Sequence, residues 1–161
     1  MNRARLEHLI TVLQDVVALS KPFSLHYWAK ANLSLIQKQH ACGTTACACG
    51  YAGFDPVFQA QGLRLIDKDY TDCPVITTIA ELNEISLSRS RSINLDIEYD
   101  GFVGWSAIRL FFELDMQCAR IIFNEEEYPN DSKADAVIRR VQLLLTSSKD
   151  ALIESMQIDR A

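Results

Sequence analysis

The sequence predicts an α+β fold, mostly helical, in a single domain over residues 1–161 with a small two- or three-stranded antiparallel sheet. Three observations predict it. Apolar residues recur at helical spacing near both ends of the chain, and two short stretches in the middle alternate apolar and polar residues as strands do. Between them, the fourteen residues from His40 to Gly53 hold three of the five cysteines and three of the six glycines. Side chains that small suit a central helix packed very closely. With 161 residues, 48% of them hydrophobic, the chain can bury a core without disulfide or metal staples.

Taken in order, Leu6, Leu9, Ile10, Leu13 and Val17 mark a first helix from Arg3 to about Leu19, with His8 on its solvent side. Lys21-Pro22 ends it. Phe23 opens a short helix to about Gln37 that places Phe23, Tyr27 and Trp28 close together. The turn Gly43-Thr44-Thr45 then leads into the small-residue helix, about Thr45 to Gly53, with a threonine as its cap. Asp55-Pro56 has the cap-then-proline order of a helix start, and Gly62 is placed to stop that helix after Gln61. Leu63–Ile66 reads as a strand pairing with the alternating segment Ile93–Tyr99.

Residues 67–92 read as an inserted segment. Thr78-x-x-Glu81 has the form of a helix cap, Val75 to Ile79 reads equally as strand, and Ser86 to Ser92 reads as an exposed loop. From Gly101 the pattern is helical, with Gly104, Ile108, Phe111 and Phe112 on one face. Asp115 caps a helix from Met116 to Phe123, followed by an acidic turn from Asn124 to Asn130. Ser132-x-x-Asp135 begins the last long helix, striped by Ala134, Val137, Ile138, Val141, Leu144 and Leu145. Residues 147–161 form a C-terminal helical tail that either continues it or restarts after Ser147-Ser148.

The formal charge of −5, from 21 acidic and 16 basic residues, disfavours nucleic acid or an anionic membrane as partner. Arg89/Arg91 and Arg139/Arg140 are pairs, not patches. No apolar stretch reaches membrane-spanning length, and Met1–Arg5 lacks the marks of a signal peptide, so the expected location is the cytoplasm, that of a bacterial host once origin is considered. An odd number of cysteines at irregular spacing fits reduced thiols.

No complete catalytic constellation emerges, and no cofactor or metal is implied. Cys42, Cys47 and Cys49, with His40 beside them, have the wrong spacing for a zinc knuckle, and on one helix Cys47 and Cys49 would face away from each other. A cysteine nucleophile would need His26 or His40 as base, and no Asn or Asp partner is identifiable. The Glu125-Glu126-Glu127 run reads as a solvated face. The candidate ligand-binding residues are Trp28, Gly43, Thr44, Thr45, Tyr51, Trp105 and Arg109. The turn would offer backbone N–H groups and hydroxyls to a phosphate, the aromatics would stack on a flat ring, and Arg109 would supply counter-charge. Arg64, on a strand, is a second source of positive charge.

Phe23-x4-Trp28, Cys42-Gly-Thr-x-Ala-Cys-x-x-Gly50, Pro56-x-Phe58, Gly62-Leu63, Phe111-Phe112 and Arg139-x4-Leu144-Leu145 together resemble a family of small bacterial and phage proteins. The resemblance covers about residues 20–146. It departs at Tyr51, where that family more often has Trp or His, and at residues 67–92, which are longer than the family's usual connection. It implies a bacterial or phage origin and no particular activity. The expectation is a non-enzymatic binding protein that sequesters a small phosphate-bearing, nucleotide-type immune signalling molecule. A protein-interaction module inhibiting a host defence protein, acting through the acidic face and residues 67–92, is the second reading. A cysteine- or zinc-dependent enzyme is the third. Homo-oligomerisation is left open.

Overall fold

Helix α1, Arg3–Ala18, starts where the Asn2 side chain accepts the Arg5 N–H, and it turns Leu6, Leu9, Leu13 and Val16 inward. The computed structural model describes residues 1–26, 29–30, 45–68, 71–76, 104–128 and 133–159. His8 does not face solvent as expected. It is half-buried, edge-on to Phe58 with ring centroids 4.7 Å apart, and its Nε2 donates to Asp55 Oδ1 at 2.9 Å. Helical periodicity places residue 8 beside the apolar stripe, but the carboxylate that draws it inward is 47 residues away.

The helix expected from Phe23 does not form in the described part of that segment. Phe23 makes an isolated bridge to Ala46, the Ser24 N–H donates to the Ala46 carbonyl, and Leu25 is buried. Strand β1, Ala29–Lys30, pairs antiparallel with β2, Thr45–Ala46. The Phe23–Ser24 backbone is held extended against Ala46 by that bridge and that bond, so it does not turn into a helix there. Trp28, Gly43 and Thr44 lie outside the described residues, as do Tyr27, Cys42 and His40.

The small-residue helix α2, Ala48–Phe54, begins later than the sequence suggests, and its cap is a cysteine rather than a threonine. Thr45 lies in β2, and the Cys47 Sγ accepts the Gly50 N–H at 3.4 Å. Helix α3, Pro56–Ala60, begins as expected with Asp55 accepting the Phe58 N–H at 3.0 Å. It ends before Gly62, whose φ of 97° is a backbone state glycine adopts without strain.

The predicted sheet is corrected. Strand β3, Leu63–Lys68, has its expected partner, Ile93–Tyr99, outside the described residues. It forms a local hairpin with β4, Thr71–Ile76, in the register Leu63↔Ile76 through Lys68↔Thr71. A hairpin closed over two residues orders far less chain than a partner some thirty residues on. The described strands form this hairpin and the two-residue β1–β2 pair, with no sheet joining them. Among the described residues the fold is therefore mostly helical, not the α+β arrangement around one small sheet.

The second half is helical: α4, Gly104–Phe111; α5, Met116–Phe123; a 3-10 turn, Glu125–Glu127; α6, Ala134–Thr146; and α7, Lys149–Asp159. Asp115 caps α5 by accepting the Cys118 N–H at 2.8 Å, as its position predicts. All six residues of the expected α6 stripe are buried, and α6 packs along α1. Ser147 ends α6, and the Ser148 hydroxyl accepts the Ala151 N–H as α7 starts.

One apolar core runs through these elements, drawing Leu63 from β3 and Leu152 from α7 as well as the main helix faces. At its centre Phe58, Phe111 and Phe112 meet edge-to-face at centroid separations of 5.2 to 5.8 Å. Each such pair adds about 0.5–1.5 kcal/mol beyond burial. Arg5 ties α1 to the end of α4: its Nη1 donates to the Phe111 carbonyl and its guanidinium lies 4.1 Å from the Phe111 ring centroid. Among the described residues, no helix is long and apolar enough to cross a membrane.

Candidate binding cleft

The end of α5 and the turn after it are built by capping. Asn124 accepts the Glu126 N–H at 3.4 Å and starts the Glu125–Glu127 turn, so three adjacent carboxylates follow a helix end that is held in place. Arg140, buried on α6, donates to the Ile121 carbonyl at 2.6 Å and to the Glu127 carbonyl. Those carbonyls lie where a helix end leaves acceptors unsatisfied. Tyr128 then folds back, its hydroxyl donating to the Ile122 carbonyl at 2.5 Å. Burial pushes the Tyr128 phenol well above its usual pKa, so it stays a donor.

Across from this turn, the Ser24 hydroxyl accepts the His26 N–H, and His26 Nδ1 donates to Glu125 Oε2 at 2.8 Å. Both side chains are exposed, so the pair contributes little stability. It bridges the Leu25–His26 segment to the turn. The resulting cleft, about 360 Å³, is lined by Leu25, His26, Trp105, Phe123, Asn124, Glu125 and Glu126. Its floor is apolar and aromatic, while its rim carries an imidazole, an amide and two carboxylates.

Trp105 comes from α4, half-buried against the core. Arg109 sits four residues further on the same helix flank, since residues i and i+4 stack along one face. Its Nε is buried and has no hydrogen-bond partner. Of the expected site residues, the structure thus places Trp105 in the cleft and Arg109 one helical turn along. Tyr51 is used elsewhere: its hydroxyl donates to the Pro22 carbonyl at 2.6 Å and its ring stacks parallel to Phe23. Burial pushes its pKa up to about 12. Thr45 stands in β2, ahead of the Cys47 cap of α2, and does not itself cap that helix.

Leu25, Phe123 and Asn124 were not among the sequence candidates. Asn124 ahead of three glutamates carried a readable signal, the cap of a short helical turn. Nothing in the sequence brings residue 26 to residue 125. The acidic run read as a solvated face is exposed at Glu125 and Glu126, yet both line the cleft.

The cysteines lie deep in the core. Cys47, Cys49 and Cys118 are free thiols, with Cys47 2% and Cys49 0% exposed. Cys47 and Cys49 do not face apart, because Cys47 is the cap and not part of the helix; the two thiols hydrogen-bond. Burial raises both, but at Cys47 the bonds from Cys49 and from backbone N–H groups outweigh it and lower the pKa. Cys49, which donates to Cys47, is raised well above its usual value by burial and by that neighbour. Among the described residues, no group of three His, Cys, Asp or Glu side chains could hold a metal ion.

No family model, curated protein or solved structure matches this chain. Function has to be read from the site itself.

Proposed function

We propose that the protein is a non-enzymatic binding protein for a small phosphate-bearing ligand of nucleotide type, with the ring in the Trp105 cleft and the phosphate toward Arg109. The observation that carries this reading is the spacing of Trp105 and Arg109 on α4, about 6 Å along the helix axis. An aromatic plane and a half-buried guanidinium with an unsatisfied Nε stand there on one flank. Phe123 and Leu25 add apolar surface for a ring, and Asn124 and His26 add groups that hydrogen-bond to its edge. The carboxylates of Glu125 and Glu126 repel phosphate from the rim, which orients an amphiphilic ligand with its anionic end along α4. Cys47 and Cys49 are sealed in the core, which favours binding over cysteine nucleophilic chemistry. Held stoichiometrically, a nucleotide signal would be removed from solution, which is the sequestering role.

A thermal-shift screen against mono-, di- and cyclic nucleotides and ADP-ribose derivatives tests this reading. A ligand at about 100 times its Kd adds roughly 2.7 kcal/mol of stability. That shift should shrink in Trp105→Leu and in Arg109→Gln. Absence of any shift across the set would overturn the proposal and move the function to a protein-binding role for the Glu125–Glu127 face.

A further inference from the structure

We infer that Arg64 and Arg109 together form a phosphate-type oxyanion site between the β3–β4 hairpin and α4. It rests on the reading above for the presence of a ligand phosphate, and it adds a second guanidinium and a second wall. Arg64 and Arg109 are the two described residues whose side chains carry a buried polar atom with no hydrogen-bond partner, in each case the Nε. Buried donors are satisfied almost everywhere in folded proteins, so two unsatisfied guanidinium N–H groups call for an acceptor. Neither has a carboxylate partner among the described residues, where the ion pairs use Arg3, His8, His26 and Lys149.

The link between the two positions runs through β4. Side chains alternate along β3: Leu63 is buried in the main core, and Leu65 is buried against Gly53 of α2. Arg64 therefore points from the opposite face of the hairpin, yet its Nε is out of reach of water. The Cα partner of Arg64 is Val75 on β4, and α4 packs against β4. The helix that carries Arg109 thus borders the strand that holds Arg64 in register. Two guanidiniums brought together there would repel each other and lose hydration, and both costs would be offset by an oxyanion accepting from their planar forks.

Phosphate carries this chemistry whether free or attached to a nucleoside, and the experiment separates the two. Isothermal calorimetry would titrate inorganic phosphate, pyrophosphate and a panel of nucleoside diphosphates into wild type, Arg64→Gln, Arg64→Lys, Arg109→Gln and Trp105→Leu. Circular dichroism and unliganded melting would confirm that each is folded. Pyrophosphate should bind wild type, and about tenfold or more weaker to Arg64→Gln and Arg109→Gln. Arg64→Lys should recover part of the loss, because it restores charge without the fork.

Failure of wild type to bind any ringless anion, or wild-type binding by Arg64→Gln, would overturn the paired-arginine site. Should Arg64→Gln not fold, Arg64→Lys and the wild-type titration still decide. Nucleotide binding that needs Trp105 but not Arg64 would overturn this inference and leave the cleft reading standing. Ringless anion binding with no gain from a nucleoside would do the reverse.

Discussion

The Arg140 guanidinium lies 3.5 Å from the centre of the Tyr128 ring while donating to two backbone carbonyls, those of Ile121 and Glu127. One buried side chain thereby holds the end of α5, the acidic turn and the tyrosine that follows it. The wall of the candidate cleft is built on that contact. Arg140→Met keeps much of the apolar stem but leaves both carbonyls without their donor. It should cost about 2–3 kcal/mol in chemical denaturation, and Arg140→Lys should recover only a fraction, because one ammonium cannot serve both carbonyls and the ring.

Gly53 has no room for a side chain. A Cβ there would stand 2.5 Å from Leu65 Cγ and 2.8 Å from Cδ2, and Leu65 is itself buried. Gly53→Ala should destabilise by about 1–3 kcal/mol despite the higher helix propensity of alanine. Adding Leu65→Ala should cost less in the Gly53→Ala background than in wild type, a coupling measurable as a double-mutant cycle.

Asp115 links stability to acid. The Cys118 backbone N–H and then the Lys149 ammonium hold its carboxyl below the ordinary value of 3.8. A carboxyl whose folded pKa is depressed contributes its stability in full above its unfolded pKa and loses it as pH falls through the folded value. Asp115→Ala should therefore cost about 1 kcal/mol near neutral pH, and the gap from wild type should close as pH drops below 3.8. Denaturant midpoints of the two proteins across that range provide the check.

Tyr51 gives the alkaline counterpart. Burial raises its phenol to about 12 from an ordinary 10.0. A protonated group favoured by the fold adds stability below its unfolded pKa, and that stability is lost as pH rises through the folded value. Tyr51→Phe should lose about 0.5–1.5 kcal/mol at neutral pH with the bond to the Pro22 carbonyl. In spectrophotometric titration the variant should lack one phenol ionising near 12.

Much of the helical half follows from the sequence by itself. The stripe from Ala134 to Leu145, the Asp115 and Asp55 caps and the Gly62 stop are local signals, each complete within a few residues, so tertiary packing confirms rather than creates them. Trp105 and Arg109 were legible as candidates for the same reason: residue type and helical spacing are both local. What decided the rest was contact between distant segments. Ala46 bridges Phe23 and accepts the Ser24 N–H, which holds that segment extended where its own residues read as a helix. Asp55 turns His8 inward, and Glu125 meets His26 across 99 residues. Hydrogen-bond donors and carboxylates have no periodicity that names their partners. Which acid meets which base is settled only when the core has brought their elements together.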